Sequence, residues 1–307
     1  MKKKRIQISP EKWVWPTFRF VLLLGLSYVI LFPFMQKVAM MFMSPADLQN
    51  PTVWMVPQAP TLDNIRRVFQ YGGYWPAFFN SLLISTVCAT LQTLVCCLAG
   101  YGFSKFKFRG RTFFFLMAIL TIVIPPQTIS LSLYMEFRYF DIFGLFSLLG
   151  KGNLKLVETV LPSALLSMTA LGLKNGLYIF VMCQFFKGVP KELNEAAWID
   201  GCNPIKAFFR IIFPVAQPML ISIFLLSFAW QWTDTFYSGL FNRSMTVLPM
   251  ILTKVTAIST EAIANGTKMS SVMQNTAVIM TIIPLFIFYL IFQKRLIQGI
   301  ERSGIVG

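Results

Sequence analysis

The sequence contains no histidine and only 12 acidic residues in 307, against 27 lysines and arginines. Without imidazole, the side chain best suited to moving protons near neutral pH is missing, and a zinc centre loses a principal nitrogen ligand. Five cysteines are present, Cys88, Cys96, Cys97, Cys183 and Cys202. Four of them lie in apolar segments, where a thiol reads as a small buried hydrophobe. A Gly-x-x-x-x-Gly-Lys-Ser/Thr phosphate loop is also absent. The nearest string, Gly150-Lys151-Gly152, has neither the spacing nor the hydroxyl, so ATP has no site of that kind here. Low-complexity tracts, short internal repeats and a soluble domain are missing as well. The acids, from Glu11 to Glu301, all fall between apolar runs or at their ends. Ion-coupled carriers instead keep ionisable groups at membrane depth.

What is present in excess is apolar surface. Hydrophobic residues make up 56% of the chain, and mean hydropathy is +0.64. Apolar runs cover residues 17–43, 76–104, 112–135, 159–186, 211–233 and 270–293. Each meets the roughly 20 residues needed to cross a hydrocarbon core. The fold class expected is therefore an all-α integral membrane protein with six transmembrane helices. Lys2, Lys3, Lys4 and Arg5 before the first run imitate a signal peptide. That run continues through 38–43 with only Lys37 interrupting and no small-residue cleavage site, so an uncleaved first span is expected.

The +15 charge would suggest nucleic acid in a soluble protein. Its distribution suggests topology instead. Lys2 to Arg19, Lys105 to Arg111, Lys187 to Arg210 and Lys294 to Arg302 hold seventeen of the 27 basic residues on one side, against eight on the other. The positive-inside rule then places both termini in the cytoplasm, and no nucleic-acid partner is implied. The resulting scheme has a basic tail at 1–16, a first helix at 17–43, an external loop at 44–75, a membrane body at 76–295 and a tail at 296–307.

The organising stretch is the polar loop 187–210. Pro190 suits a helix start, where its missing N–H is no loss. Glu192 and Glu195 lie three apart on one face, near the positive helix end. Gly201 falls where a helix reverses into positive φ, and Asn203 and Pro204 suit the cap and first turn of another. A short helix, a tight turn and a second helix are predicted, protruding from the membrane.

The run Glu195-Ala196-Ala197-Trp198-Ile199-Asp200-Gly201, followed by Ile212-Phe213-Pro214, resembles the EAA loop of ABC-importer permeases. The likeness extends over Gln184-Phe185-Phe186-Lys187-Gly188-Val189-Pro190 and Gln217-Pro218. From about residue 75 onward, the chain resembles the smaller permease of the maltose-type carbohydrate importers, with the ABC importer type I transmembrane fold. The resemblance implies that 187–210 is a coupling loop entering a cleft of an ATPase subunit. Glu192, Glu195 and Asp200 would then pair with basic residues, Ala196 and Ala197 would admit the helix to a groove, and Trp198 would anchor one face. Gly201 and Pro214 belong to the same motif. Taken singly, each has a plainer account: acids complement the helix dipole, and a glycine ends a helix.

The same resemblance implies a permease in the cytoplasmic (inner) membrane, surrounded by lipid and not itself an enzyme. Its partners would be a second, different permease, two ATPase subunits carrying ATP and Mg, and an extracellular or periplasmic solute-binding protein near segment 234–269. No cofactor would be bound by this chain. The cargo implied is carbohydrate, of oligosaccharide type. Polyamine, peptide or phosphate import by the same machine is the nearest alternative, and an ion-coupled transporter or a membrane enzyme are more distant ones.

Lys174 is the one ionisable residue well inside a run. Thirteen residues at 1.5 Å place it about 20 Å from the Lys187 end. There it either snorkels outward or faces the pathway, where it would meet sugar hydroxyls or a carboxylate and suggest uronate-containing chains such as alginate or pectin fragments. Asn80, Ser81, Gln92 and Asn275 are further polar candidates for the pathway, or else join helices by hydrogen bonds. Pro125-Pro126 and Pro284 mark expected kinks.

Overall fold

The computed structural model describes residues 11–141, 148, 153–190, 192–199, 201–262 and 266–304. Among these the regular secondary structure is entirely helical, apart from one isolated bridge between Phe140 and Leu154. The chain divides into two compact units, Met1–Gly72 with Thr253–Met280, and Gly73–Leu252 with Thr281–Gly307.

In the first unit, α1 (Glu11–Met41) presents apolar residues on every side, as a helix bathed in lipid must. Residues 44–75, expected as loop, carry α2 (Pro45–Gln49) and α3 (Asp63–Gly72). Ser44 and Asp47 cap α2 reciprocally. The Asn64 amide donates to the carbonyls of Met41 and Met43, at 3.1 and 2.8 Å, so the orphan acceptors at the end of α1 find partners. Thr61 N–H adds a 2.9 Å bond to Phe42 O.

The second unit is built around α4 (Tyr74–Lys105). Its buried face reads Ala77, Ser81, Ser85, Cys88, Gln92, Cys96 and Gly100. These are mostly small residues one helical turn apart, which lets neighbouring helices approach closely. Two helices pack on it, α8 (Asn175–Gly188) and α11 (Phe213–Trp232). A Cβ at Gly100 would lie 2.9 Å from Cys183 N and would overlap Met182. Between α4 and α8 in the chain come α5 (Arg111–Val123), a 3₁₀ turn (Pro126–Ile129), α6 (Ser130–Arg138) and α7 (Leu161–Ser167). After Gly188 come α9 (Glu192–Ile199), α10 (Pro204–Ala207) and a π-helical turn (Phe208–Ile212) that leads into α11. The remaining helices are α12 (Phe236–Phe241), α13 (Leu248–Ala262) and α14 (Gly266–Gly304). The segment 234–269, expected as a long connection, is thus largely helical.

Two of the six expected spans are not single helices. Four helices are long and apolar enough to cross a membrane among the described residues: Val14–Met41, Tyr74–Lys105, Pro204–Trp232 and Ser271–Ile297. The run 112–135 bends by 98° between Val123 and Pro126, because Pro125 and Pro126 lack N–H donors and their rings block the preceding turn. The run 159–186 is divided into α7 and α8. The 14 residues of α8 extend only about 21 Å, less than a hydrocarbon core of about 30 Å.

Candidate functional site

At one end of the second unit, aromatic packing supports the loop read as coupling element. The Tyr101 ring lies 5.4 Å from that of Phe186 and 4.9 Å from that of Phe208. Leu193 of α9 packs on the cluster that contains these three rings and Ile212. Lys105, at the end of α4, donates its ammonium to Val189 O at 2.7 Å and ties the start of the loop to the longest helix of the unit.

The reversal after α9 rests on Gly201, whose φ is +75°. No atom lies within 4 Å of where its Cβ would stand. Glycine is therefore required there by backbone conformation, not by crowding. Asn203 caps α10, its side-chain oxygen accepting from Lys206 N–H at 2.7 Å. The π turn and Pro214 then lead without a break into α11.

This placement leaves Ile199, Ile205 and Phe209 exposed by 86, 70 and 60%. A shallow depression is framed by Asn203, Ile205, Lys206, Phe209 and Arg210. Glu192 and Glu195 are exposed on α9, and neither forms an ion pair among the described residues, where Lys155–Glu158 is the one pair seen. Asp200 lies outside the described residues, as do the side chains of Ala196, Ala197 and Trp198. Sequence reading missed Ile205 and Phe209. Their signal was large apolar residues within a basic stretch, Ile205-Lys206 and Phe209-Arg210. Among the described residues the surface offers apolar knobs with charges beside them, continuous through the π turn with a helix long enough to span a membrane.

The second site lies where the two broken spans meet. The N-terminus of α8 touches the C-terminal part of α5 so closely that a Cβ at Gly176 would lie 2.7 Å from Thr121 Oγ1 and would overlap Ala118 O. A cavity of about 370 Å³ opens beside that crossing, between residues 121–126 and 170–176, with Ile129 and Tyr237 completing its wall. Irregular backbone at membrane depth is tolerated where it is buried in protein or lines a water-filled cavity, and both breaks do so.

Lys174, expected inside a helix, instead occupies the N-cap of α8 in the left-handed region, with φ +65°. For a residue with a Cβ this conformation costs about 1–2 kcal/mol. Its ammonium stands 4.8 Å from the centroid of the Trp230 ring. The break is fastened by polar side chains. Gln92, fully buried, donates to Leu173 O at 2.9 Å and accepts from the Ser227 hydroxyl. The Asn175 amide donates to Ser167 O at 2.9 Å and to Thr169 O, while its own oxygen is buried without a partner. Asn175 and Gly176 were missed in the sequence. Their signal was Gly172-Leu173-Lys174-Asn175-Gly176, turn-forming residues inside an apolar run.

The other polar candidates make hydrogen bonds to other segments of the fold. Asn80 donates to Thr246 O at 3.0 Å, and Ser81 Oγ accepts from Leu248 N at 2.8 Å. Asn275 accepts from the Lys37 ammonium at 2.6 Å.

Residues 92–302 match the family model described as the binding-protein-dependent transport system inner membrane component. The arabinooligosaccharides transport system permease protein of Halalkalibacterium halodurans is 29% identical over 92% of this chain and 93% of its own length. The diacetylchitobiose uptake system permease protein of Streptomyces coelicolor is 27% identical over 96% of this chain and 97% of its own. Among solved structures, a chain of a bacterial ABC transporter involved in the import of the acidic polysaccharide alginate superposes with a TM-score of 0.69 at 20% identity, covering 93% of this chain and 98% of that one. That likeness establishes the all-helical ABC-importer fold expected from the sequence. The match over more than two thirds of the chain means that this protein belongs to the family of binding-protein-dependent transport system inner membrane components.

Proposed function

We propose that this chain is the permease subunit of a binding-protein-dependent ABC importer that moves oligosaccharide across the cytoplasmic membrane by alternating access. The observation that carries the reading is the surface formed by α9, Gly201 and α10, which presents Ile199, Ile205 and Phe209 and continues directly into α11. A push on that surface moves a spanning helix. The energy comes from two ATPase subunits, which hold ATP and Mg, and a second permease completes the pathway. A solute-binding protein delivers cargo from outside. The distribution of basic residues supports cytoplasmic termini and a cytoplasmic coupling loop. Relatives named for arabino-oligosaccharide and diacetylchitobiose transport support carbohydrate over polyamine, peptide or phosphate.

The reading is tested by uptake into proteoliposomes holding the complete complex, with its binding protein outside and a panel of labelled oligosaccharides. At least one sugar should accumulate only when ATP is enclosed. Accumulation driven equally well by an ion gradient without ATP would replace the proposal with an ion-coupled carrier.

A further inference from the structure

Resting on the import reading, we propose that the cavity at the paired helix breaks receives an anionic sugar unit, and that Lys174 is the group that reads its charge. At about 370 Å³ the cavity falls toward the small end of the ligand-pocket range, about 300–1,000 Å³. It suits a sugar residue better than a long chain.

Three features of its wall select the ligand. The first is the charge of Lys174. It makes no ion pair among the described residues, and the Trp230 ring faces its ammonium without using up its three donors. The residue is exposed, and a carboxylate or phosphate on the cargo would complement its charge. A polyamine would be repelled. The second is conformation. Lys174 is held in a left-handed backbone, where lysine has no intrinsic preference, by Gln92 and Asn175 on either side. Strained positions of this kind cluster at ligand clamps. The third is the Asn175 oxygen, a buried acceptor with no partner, on a residue that also lines the cavity. A hydroxyl, from sugar or from an ordered water, would satisfy it. The positive end of α8 adds to the preference for negative charge. An anion beside hydroxyls is the chemistry of a uronate or a sugar phosphate.

The test uses the complete importer in proteoliposomes, with its binding protein and either the wild-type chain, Lys174→Met or Lys174→Arg. The probes are labelled digalacturonate, glucose 1-phosphate and a neutral oligosaccharide. Digalacturonate or glucose 1-phosphate should be taken up by the wild type, and whichever is transported identifies the source of the charge. In Lys174→Met the ratio of anionic to neutral uptake should fall about tenfold, the loss expected for one charge-assisted bond, and Lys174→Arg should recover most of it. An equal loss for charged and neutral probes would make Lys174 a structural residue and overturn the proposal. So would a wild-type importer that carries neutral sugars and neither anion, although import itself would then stand. ATP-driven uptake of no sugar at all would instead remove the import reading, and this proposal with it.

Discussion

Asp47 shows how much order one side chain can impose on a segment that looks like loop. Burial alone would raise its carboxyl. The N–H groups of Ser44, Ala59 and Gln58 and the Ser44 hydroxyl outweigh that effect and hold its pKa below the ordinary 3.8. The carboxylate spans α2 and residues 58–59 through bonds of 3.2 to 3.3 Å. A depressed acid stabilises the fold above its unfolded pKa, and that contribution is lost as pH falls through the folded value. Proteolysis of segment 44–59 should therefore stay slow at neutral pH and quicken only below about pH 4. Asp47→Asn should make it fast at pH 7. Gly201 makes a second prediction at this scale. Its Cβ position is open but its φ is +75°, so the strain of a side chain, about 1–2 kcal/mol, is the whole effect. Gly201→Asn, which tolerates the left-handed region, should retain more substrate-stimulated ATP hydrolysis than Gly201→Val. Equal activity in the two would show that this backbone conformation is not what the loop depends on.

Among the elements, α4 and α11 were legible as uninterrupted apolar runs, because a lipid-exposed helix has to be apolar along its whole length. The paired breaks were harder to read, for the same reason, although Gly172-Leu173-Lys174-Asn175-Gly176 carried a local turn signal. Apolar composition continues through residues 121–126 and 168–173, so hydropathy bridges both. Pro125-Pro126 was visible in the sequence but reads as a kink, and only the packed structure shows a 98° bend. The α7–α8 break depends on Gln92, 81 residues from the carbonyl it satisfies, and no local pattern reports such a bond. Gln92→Leu should leave Leu173 O and the Ser227 hydroxyl unpaired and cost about 1–3 kcal/mol for each buried group, measured as a lower melting temperature of the purified complex. The turn between α9 and α10 was legible, since glycine and an Asn-Pro cap are local signals. The exposure of Ile205 and Phe209 was not, because it depends on which face the core covers.

For the whole molecule, the central proposal is that the chain transmits motion from a partner ATPase to the pathway. The supporting features form one line: an exposed apolar surface at the loop, a Leu193 foot on the aromatic cluster, a π turn into α11, and α11 against α4, whose Gln92 fastens the break beside the cavity. The most direct test is ATP hydrolysis by the complex copurified with this chain in lipid, with and without its binding protein and oligosaccharide. Wild type should be stimulated by the loaded binding protein. Phe209→Glu, altering a side chain that the core does not hold, should abolish the stimulation while the chain still inserts and its second permease still copurifies. Failure of any ATPase to copurify, or full stimulation in Phe209→Glu, would contradict the account.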